Sequence, residues 1–251
     1  MTRIPLIAGN WKMFKTGPEA VDTATQLAAA CADVQNKDIM IAPTYVSLPL
    51  VATAVADTSL HLGAQNLHFE KQGAFTGEIS ADMLAAAGVE YVIIGHSERR
   101  QYFFETDETV NRKIQAAVST KLKPILCIGE TLAQREAGNT FLTLDKQVAD
   151  GLKGVDPERL QDLVIAYEPV WAIGTGETAG PDQIEKVHKY LRTLLDTKIS
   201  SDLAQTVRII YGGSVKPDNI AKLMCIEDVD GVLVGGASLD ARIFTRIVKY
   251  D

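Results

Sequence analysis

Three side chains capable of acid–base chemistry or charge neutralisation stand at the ends of short apolar segments. Lys12 follows IPLIAGN, His96 follows YVIIG, and Glu168 ends LVIAYE. Among the apolar and aromatic neighbours of Glu168, loss of water would make its carboxylate a stronger base. A neutral His96 could donate a hydrogen bond to a developing oxyanion, and the Lys12 ammonium could offset the charge of an anionic substrate. The alternatives are an ion-paired carboxylate, a structural histidine and a solvated lysine.

The segment GHSERR, residues 95–100, indicates how the histidine ring is kept neutral. Ser97 is predicted to be the N-cap of a short helix, which would place the positive end of a helix dipole beside the imidazole. That field disfavours the protonated ring. The other charged and ionisable residues are predicted to be structural. Arg99 and Arg100 are expected to pair with Glu98 or Glu105, His61 and His68 have no acidic or cysteine partners at ligand spacing, and His188 lies on an amphipathic helix.

Two glycine-rich segments, YGGSV at 211–215 and LVGGASL at 233–239, follow the last two apolar segments. Glycines leave backbone N–H groups open to close approach, and Ser214 adds a hydroxyl. A phosphate site made from the last two loops recurs in parallel barrels. The matched pair therefore predicts phosphate binding at Ser214, Gly235 and Gly236, with two ordinary tight turns as the alternative.

The segment AYEPVWAIGTG, residues 166–176, predicts a lid. A proline follows the glutamate and glycines end the segment, so residues 169–176 could close over the base and exclude water. GTGETA at 174–179 also matches the dinucleotide fingerprint G-x-G-x-x-G/A. That motif needs its first glycine at the strand end, whereas five residues separate Glu168 from Gly174. The lid is therefore the preferred interpretation.

The elements that must position these residues form a regular series. Eight apolar segments, nearly continuous rather than alternating, are typical of strands buried on both faces. Helical periodicity lies between them, most clearly from Thr106 and from Pro181. Dividing 251 residues by eight gives about 31 residues per unit, the length of a βαβ repeat. We therefore predict one α/β domain over residues 1–251, a (β/α)8 barrel whose strand ends bring Lys12, His96 and Glu168 to one rim.

Composition excludes several classes of protein. A net charge of −7 argues against a nucleic-acid partner. The uncharged stretch of residues 39–56 is broken by Pro43 and Pro49, so a strand followed by a helix is preferred over a membrane span. No signal peptide is evident, and a cytoplasmic protein without membrane partners is expected. Neither a disulfide framework nor a zinc site is expected from an odd number of dispersed cysteines, Cys31, Cys127 and Cys225.

Along its whole length the chain resembles the triosephosphate isomerase family. The matching segments are GNWKM at 9–13, GAFTGEIS at 73–80, GHSERR at 95–100, CIGE at 127–130, AYEPVWAIGTG at 166–176, YGGSV at 211–215 and LVGGASL at 233–239. The resemblance implies a TIM barrel of glycolysis and gluconeogenesis that interconverts dihydroxyacetone phosphate and D-glyceraldehyde 3-phosphate without metal or organic cofactor. The family is itself the standard example of a glutamate base beside a neutral histidine.

The resemblance also implies a role for each matching residue. Glu168 would transfer the proton, His96 would stabilise the enediol(ate), and Lys12 would hold the phosphate and the developing charge. The other implied residues are Asn10 beside the reacting oxygens, Glu98 in support of the lysine, and Gly174, Ser214, Gly235 and Gly236 on the phosphate.

A long loop at residues 65–80 is either folded over its own barrel or used for assembly. The family inserts this loop into a partner subunit, which implies a homodimer with Phe75 and Thr76 at the contact. Two other functions remain open from the residues alone. One is a phosphate-binding barrel that acts on a different small phosphate ester, and the other is a non-catalytic nucleotide-binding module that uses GTGETA.

Overall fold

A computed structural model describes residues 3–172 and 179–251 of the chain. Within these residues, eight parallel strands pair in chain order, and the last pairs with the first to close a barrel. The predicted (β/α)8 TIM barrel is thereby confirmed. The strands are β1 Leu6–Asn10, β2 Asp38–Ala42, β3 Leu60–Ala64, β4 Tyr91–Ile94, β5 Lys123–Ile128, β6 Val164–Tyr167, β7 Arg208–Tyr211 and β8 Gly231–Val234.

Helices cover the outside of the barrel. The helix predicted from Thr106 has this threonine as its N-cap, and the helix predicted from Pro181 begins at that proline. In the described part of the chain the helices are α1 Gly17–Ala30, α2 Leu48–Val55, α3 Ala81–Ala86, α4 Ser97–Tyr102, α5 Asp107–Ser119, α6 Leu132–Glu136, α7 Thr140–Gly151, α8 Pro181–Lys198, α9 Ser201–Thr206, α10 Ile220–Met224 and α11 Ala241–Val248. The short helices α6 and α9 have no counterpart in the sequence prediction.

The strands are mostly apolar because both of their faces are covered. In β1, Leu6 and Ala8 belong to a cluster enclosed by the strands, whereas Ile7 packs in the larger cluster that includes helix residues. The enclosed cluster also contains Tyr91 and Cys127. Seven strands thus contribute side chains to both cores, whereas β3 contributes only to the larger one, and this arrangement removes the polar–apolar alternation of a half-exposed sheet. No helix in residues 3–172 or 179–251 has the length and apolar character needed to cross a lipid bilayer.

The carboxyl ends of the strands present the predicted functional residues on one rim. β1 ends at Asn10, β6 ends one residue before Glu168, and β4 ends two residues before His96. The opposite rim carries a different set of charged residues, because β2, β5 and β7 begin with Asp38, Lys123 and Arg208.

Candidate active site

A cleft of about 750 Å³ occupies the C-terminal mouth of the barrel. It brings together Lys12, His96 and Glu168, which lie as much as 156 positions apart in the sequence. Its wall also contains the other predicted site residues that the structure describes: Asn10, Glu98, Ser214, Gly235 and Gly236. Gly174 lies outside the described residues.

Glu168 and His96 form the floor of this cleft. Glu168 is 2% exposed, and its Oε1 lies 3.0 Å from Nε2 of His96. Its other oxygen accepts a hydrogen bond of 2.9 Å from the backbone N–H of Ser97. Gly212 leaves room for this carboxylate, since a Cβ there would come within 2.9 Å of Cγ of Glu168. The carboxylate is therefore held by two partners and faces a residue without a side chain.

The ring of His96 is oriented by the helix that it caps. His96 itself, rather than Ser97, is the N-cap of α4, and its Nδ1 accepts a hydrogen bond of 3.2 Å from the backbone N–H of Glu98. The prediction of Ser97 as the cap was wrong because the imidazole takes the acceptor position at the first turn. An accepting Nδ1 has no proton, so these contacts assign the ring proton to Nε2, which faces Glu168.

The pKa of Glu168 is shifted in the direction opposite to the one that its apolar neighbours predict. Burial raises the pKa of Glu168, but His96, the Ser97 N–H and Lys12 oppose it, and the net direction is downward. The expected rise in the pKa was wrong for this arrangement because the carboxylate exchanges water for a ring N–H and a backbone N–H. Burial lowers the pKa of His96, but the Glu168 and Glu98 carboxylates together outweigh it, and the net direction is upward, opposite to the one expected from the helix N-terminus. These contacts thus favour the ionised form of Glu168.

Lys12 approaches the cleft from a constrained loop. Its backbone has a φ of 51°, in the left-handed region, and its N–H donates to Oδ1 of Asn10 at 3.0 Å. Gln65 donates to the carbonyl of Lys12 at 2.8 Å. The ammonium of Lys12 lies 2.5 Å from Oε1 of Glu98. The lysine is therefore fixed at both its backbone and its charged end.

The glycine-rich ends of β7 and β8 form the opposite wall. A short 3-10 helix, Gly236–Ser238, begins here with Gly235 as its N-cap, so backbone N–H groups are available at the cleft. A Cβ at Gly235 would lie 3.3 Å from Cε of Lys12, which shows how closely the lysine approaches this backbone. Donors from this wall and the Lys12 ammonium can bind an anion together.

A buried glutamate missed by the sequence analysis anchors the segment after the base. Glu130 is fully buried and accepts hydrogen bonds from Trp171 Nε1 at 2.9 Å and from the Tyr167 hydroxyl at 3.2 Å. The N–H of Val170 donates to its carbonyl at 3.2 Å. The segment CIGE, in which an acidic residue follows the end of β5 by two positions, was the signal for this anchor. The part of the predicted lid at residues 173–178 lies outside the described residues.

The residues predicted to be structural are ion-paired or buried. Arg99 pairs with Glu105 at 2.7 Å as predicted, whereas Arg100 pairs with Asp107 at 2.6 Å. His188 is buried on α8, and its Nδ1 lies 2.9 Å from the carbonyl of Asp228.

His61 has acidic partners that its neighbours in the sequence did not indicate. It was expected to be structural, without acidic partners at ligand spacing, and it lies 2.8 Å from Glu90, which directly precedes β4, and 3.8 Å from Asp38, which begins β2. Sequence spacing around the histidine could not reveal partners from other strands. Within residues 3–172 and 179–251, no cluster of three or more histidine, cysteine or acidic residues could hold a metal ion.

The loop at residues 65–80 combines a buried base with an exposed tip. Leu67 is fully buried, and the N–H of His68 donates to the carbonyl of Ile79 at 2.8 Å, which closes the loop. Residues 71–78 are exposed; among them, Phe75 is 43% exposed. The tip therefore does not fold over its own barrel, which was one of the two interpretations.

The closed parallel barrel with a carboxylate–imidazole pair at its C-terminal mouth defines the class of (β/α)8-barrel enzymes. The family model described as triosephosphate isomerase matches residues 5–251. The chain is 53% identical over 247 residues to triosephosphate isomerase of Carboxydothermus hydrogenoformans, covering 98% of each chain. It is 50% identical over 249 residues to that of Citrifermentans bemidjiense, covering 99% of each. The crystal structure of triosephosphate isomerase from Bartonella henselae superposes with a TM-score of 0.89 at 36% identity, covering 98% of both chains. This chain belongs to the triosephosphate isomerase family.

Proposed function

We propose that this chain interconverts dihydroxyacetone phosphate and D-glyceraldehyde 3-phosphate, the reaction of its family in glycolysis and gluconeogenesis. The observation that carries the proposal is the contact of 3.0 Å between Nε2 of His96 and Oε1 of Glu168, inside a cleft that also contains Lys12. An ionised carboxylate, a ring N–H and an ammonium in one cleft suit proton abstraction next to a carbonyl group.

In the proposed mechanism, Glu168 removes a proton from the substrate carbon next to the carbonyl. The electron pair of that C–H bond moves toward the carbonyl oxygen, which becomes the oxygen of an enediol(ate). Nε2–H of His96 donates to this oxygen, with Asn10 beside the reacting oxygens. Glu168 then returns the proton to the former carbonyl carbon. The hydroxyl proton on the first carbon passes by way of the His96 ring to the former carbonyl oxygen, and the hydroxyl oxygen becomes the new carbonyl, so that an aldose becomes a ketose or the reverse with no net change in protons.

The phosphate of the substrate is proposed to bind across the cleft from the base. Backbone N–H groups at Gly235 and Gly236 and the Ser214 hydroxyl would donate to it, and Lys12 would neutralise part of its charge. Gly174, predicted to join this site, belongs to the residues that are not described. Binding of the phosphate at the far wall would hold the reacting carbons over Glu168.

A coupled assay tests the proposal. Purified chain is given D-glyceraldehyde 3-phosphate, and formation of dihydroxyacetone phosphate is followed through its NADH-dependent reduction by an auxiliary dehydrogenase. We expect turnover that persists after treatment with a chelator. If the chain does not turn over this substrate but turns over another small phosphate ester, it catalyses a different reaction and the proposal is wrong.

We also propose that the chain acts as a homodimer in the cytoplasm. A small hollow of about 270 Å³ lies next to the cleft, and the exposed side chains of Met13 and Phe103 line it beside Lys12. Phe75 and Thr76 at the exposed tip of the 65–80 loop would enter this hollow of a second copy. Sedimentation at micromolar concentration should show a species of twice 27.2 kDa. A species of 27.2 kDa alone would overturn the dimer.

A further inference from the structure

The backbone carbonyl before His96 is bound by a charged side chain that the proposed mechanism does not use. Nε of Arg100 donates to the carbonyl oxygen of Gly95 at 2.7 Å, and Nη2 donates to the carbonyl oxygen of Cys127 at 3.3 Å. Nη1 pairs with Asp107 at 2.6 Å, and the arginine side chain is 19% exposed. One guanidinium therefore joins the end of β4 to β5.

This bridge lies where strand pairing stops. The last paired residues of β4 and β5 are Ile94 and Leu126. Arg100 binds the carbonyls of the residues that follow them, Gly95 and Cys127. Gly95 has a φ of 75°, which turns the chain out of the sheet. Its N–H is held as well, by Oε1 of Glu105 at 3.0 Å. The N–H and the carbonyl of this turn residue are thus both fixed by charged side chains.

Both reacting side chains depend on the bridged backbone. His96 directly follows Gly95, so the direction of this turn sets the position of the imidazole. On β5, the carbonyl of Ile128, next to Cys127, accepts the N–H of Glu168 at 2.7 Å. The distance between β4 and β5 at this point therefore affects the distance between the imidazole and the carboxylate.

We propose that Arg100 is a positioning residue for the reaction, because its guanidinium links the carbonyls of Gly95 and Cys127 and thereby fixes His96 against Glu168. The kinetic part of this inference rests on the proposed function, but the geometric part does not. Lysine has a single ammonium nitrogen, which cannot reach Gly95, Cys127 and Asp107 with the planar fork of an arginine. Arg100→Lys keeps the charge and loses the bridge.

Arg192 offers a matched control. Like Arg100, it binds two backbone carbonyls, those of Ala204 and Val207 at 2.8 and 2.6 Å, and pairs with carboxylates, Asp228 and Asp230. It does so away from the catalytic cleft. Arg192→Lys should therefore reduce the stability of the fold without moving the imidazole.

The test compares wild type, Arg100→Lys and Arg192→Lys in two measurements. In the first, kcat and KM are corrected for the folded fraction. We expect kcat of Arg100→Lys to fall on the order of tenfold with KM within about twofold of wild type, since a misplaced acid–base group slows the chemical step. The Arg192→Lys variant should retain both constants. Equal losses of kcat in the two variants, or wild-type kcat in Arg100→Lys, would overturn the proposal.

The second measurement is the proton NMR signal of the His96 Nε2–H in substrate-free enzyme, assigned by its loss in His96→Gln. We expect this signal to shift upfield or broaden in Arg100→Lys and to stay unchanged in Arg192→Lys. An unchanged signal in Arg100→Lys would contradict the proposal even if wild type had no isomerase activity. If Arg100→Lys fails to fold, Asp107→Asn takes its place, because this change removes the carboxylate that pairs with the guanidinium. In Asp107→Asn we expect kcat to fall about threefold and the Nε2–H signal to shift upfield or broaden. No change in either quantity would overturn the proposal.

Discussion

Two histidine–carboxylate contacts lie at opposite ends of the barrel and differ in what surrounds them. At the C-terminal mouth, His96 contacts Glu168, which is 2% exposed beside a cleft of about 750 Å³. At the N-terminal end, His61 contacts Glu90, whose side chain is 43% exposed. The chemical groups are the same at both ends. A hollow of about 630 Å³ adjoins His61 and Glu90 as well, so burial of the carboxylate, and not an adjacent space, distinguishes the proposed catalytic contact from the other.

The partners of the two contacts differ as well. At the N-terminal end, Asp38 binds Arg208 at 2.6 Å and Glu90 lies 3.6 Å from Lys123, so that each carboxylate has a cation of its own. At the mouth, backbone groups hold the pair, and the Lys12 ammonium, which pairs with Glu98, lies beside the space into which a substrate would fit. We propose that the charges at the mouth serve a ligand and that those at the opposite end serve the fold, and the following experiments test this difference.

The largest effect is expected from removal of the base. Glu168→Gln leaves an amide that cannot accept the proton, so kcat should fall roughly 10³- to 10⁴-fold. Glu90→Gln is the matched change at the other end and should leave kcat unchanged. Steady-state kinetics of the two variants in the coupled assay provide the measurement. Equal losses of kcat in Glu168→Gln and Glu90→Gln would mean that the two ends of the barrel do not differ in their role in catalysis.

Loss of the lysine at the mouth should have the next largest effect. Lys12→Met removes the ammonium that would bind the phosphate and developing charge, so kcat/KM should fall on the order of 10²-fold or more. Lys123→Met removes a lysine from the first position of β5 at the opposite end and should retain kcat/KM. Normal kinetics in Lys12→Met would show that the cleft does not use this charge.

The smallest effect is expected from His61, and it should depend on pH. Asp38 and Glu90 raise the pKa of His61, so the folded state binds its proton more tightly than the unfolded state. The resulting stabilisation is fully present below the unfolded pKa and is lost as the pH rises through the higher folded pKa. His61→Asn should therefore lower the free energy of unfolding at pH 6 by about 1 kcal/mol or less, with no such loss at pH 9.

Urea unfolding of His61→Asn and wild type at the two pH values measures this difference, and the coupled assay should show unchanged kcat. A loss of stability that is larger at pH 9 than at pH 6 would mean that the histidine is not held in its charged form by the carboxylates. A drop in kcat would remove the functional contrast between the two ends.

The sequence predicted the barrel and its active-site rim better than the opposite rim. Continuous apolar segments identify strands covered on both faces, and a parallel barrel then requires residues after those strands to share one end. The same argument applied to strand beginnings would have brought together Asp38, His61 and Glu90. The sequence analysis considered only the neighbours of His61 along the chain and therefore missed these contacts.

Local side-chain geometry was the part that the sequence could not provide. Whether His96 or Ser97 caps α4 depends on which side chain reaches the first free N–H of the helix. The direction of the Glu168 pKa depends on its rotamer, because contact with His96 and the Ser97 N–H outweighs burial. Glu130 and Arg100 were likewise missed in their actual roles, since their partners come from β6 and β5, respectively.

Isotope exchange tests the central claim most directly, that the Glu168 carboxylate transfers the substrate proton. Wild type and Glu168→Asp are incubated with D-glyceraldehyde 3-phosphate in D₂O, and proton NMR follows conversion and the entry of deuterium next to the carbonyl group. Wild-type product should carry deuterium. Shortening the side chain by about 1 Å should slow conversion and deuterium entry together, on the order of 10²-fold. Wild-type rates of both processes in Glu168→Asp would contradict the account.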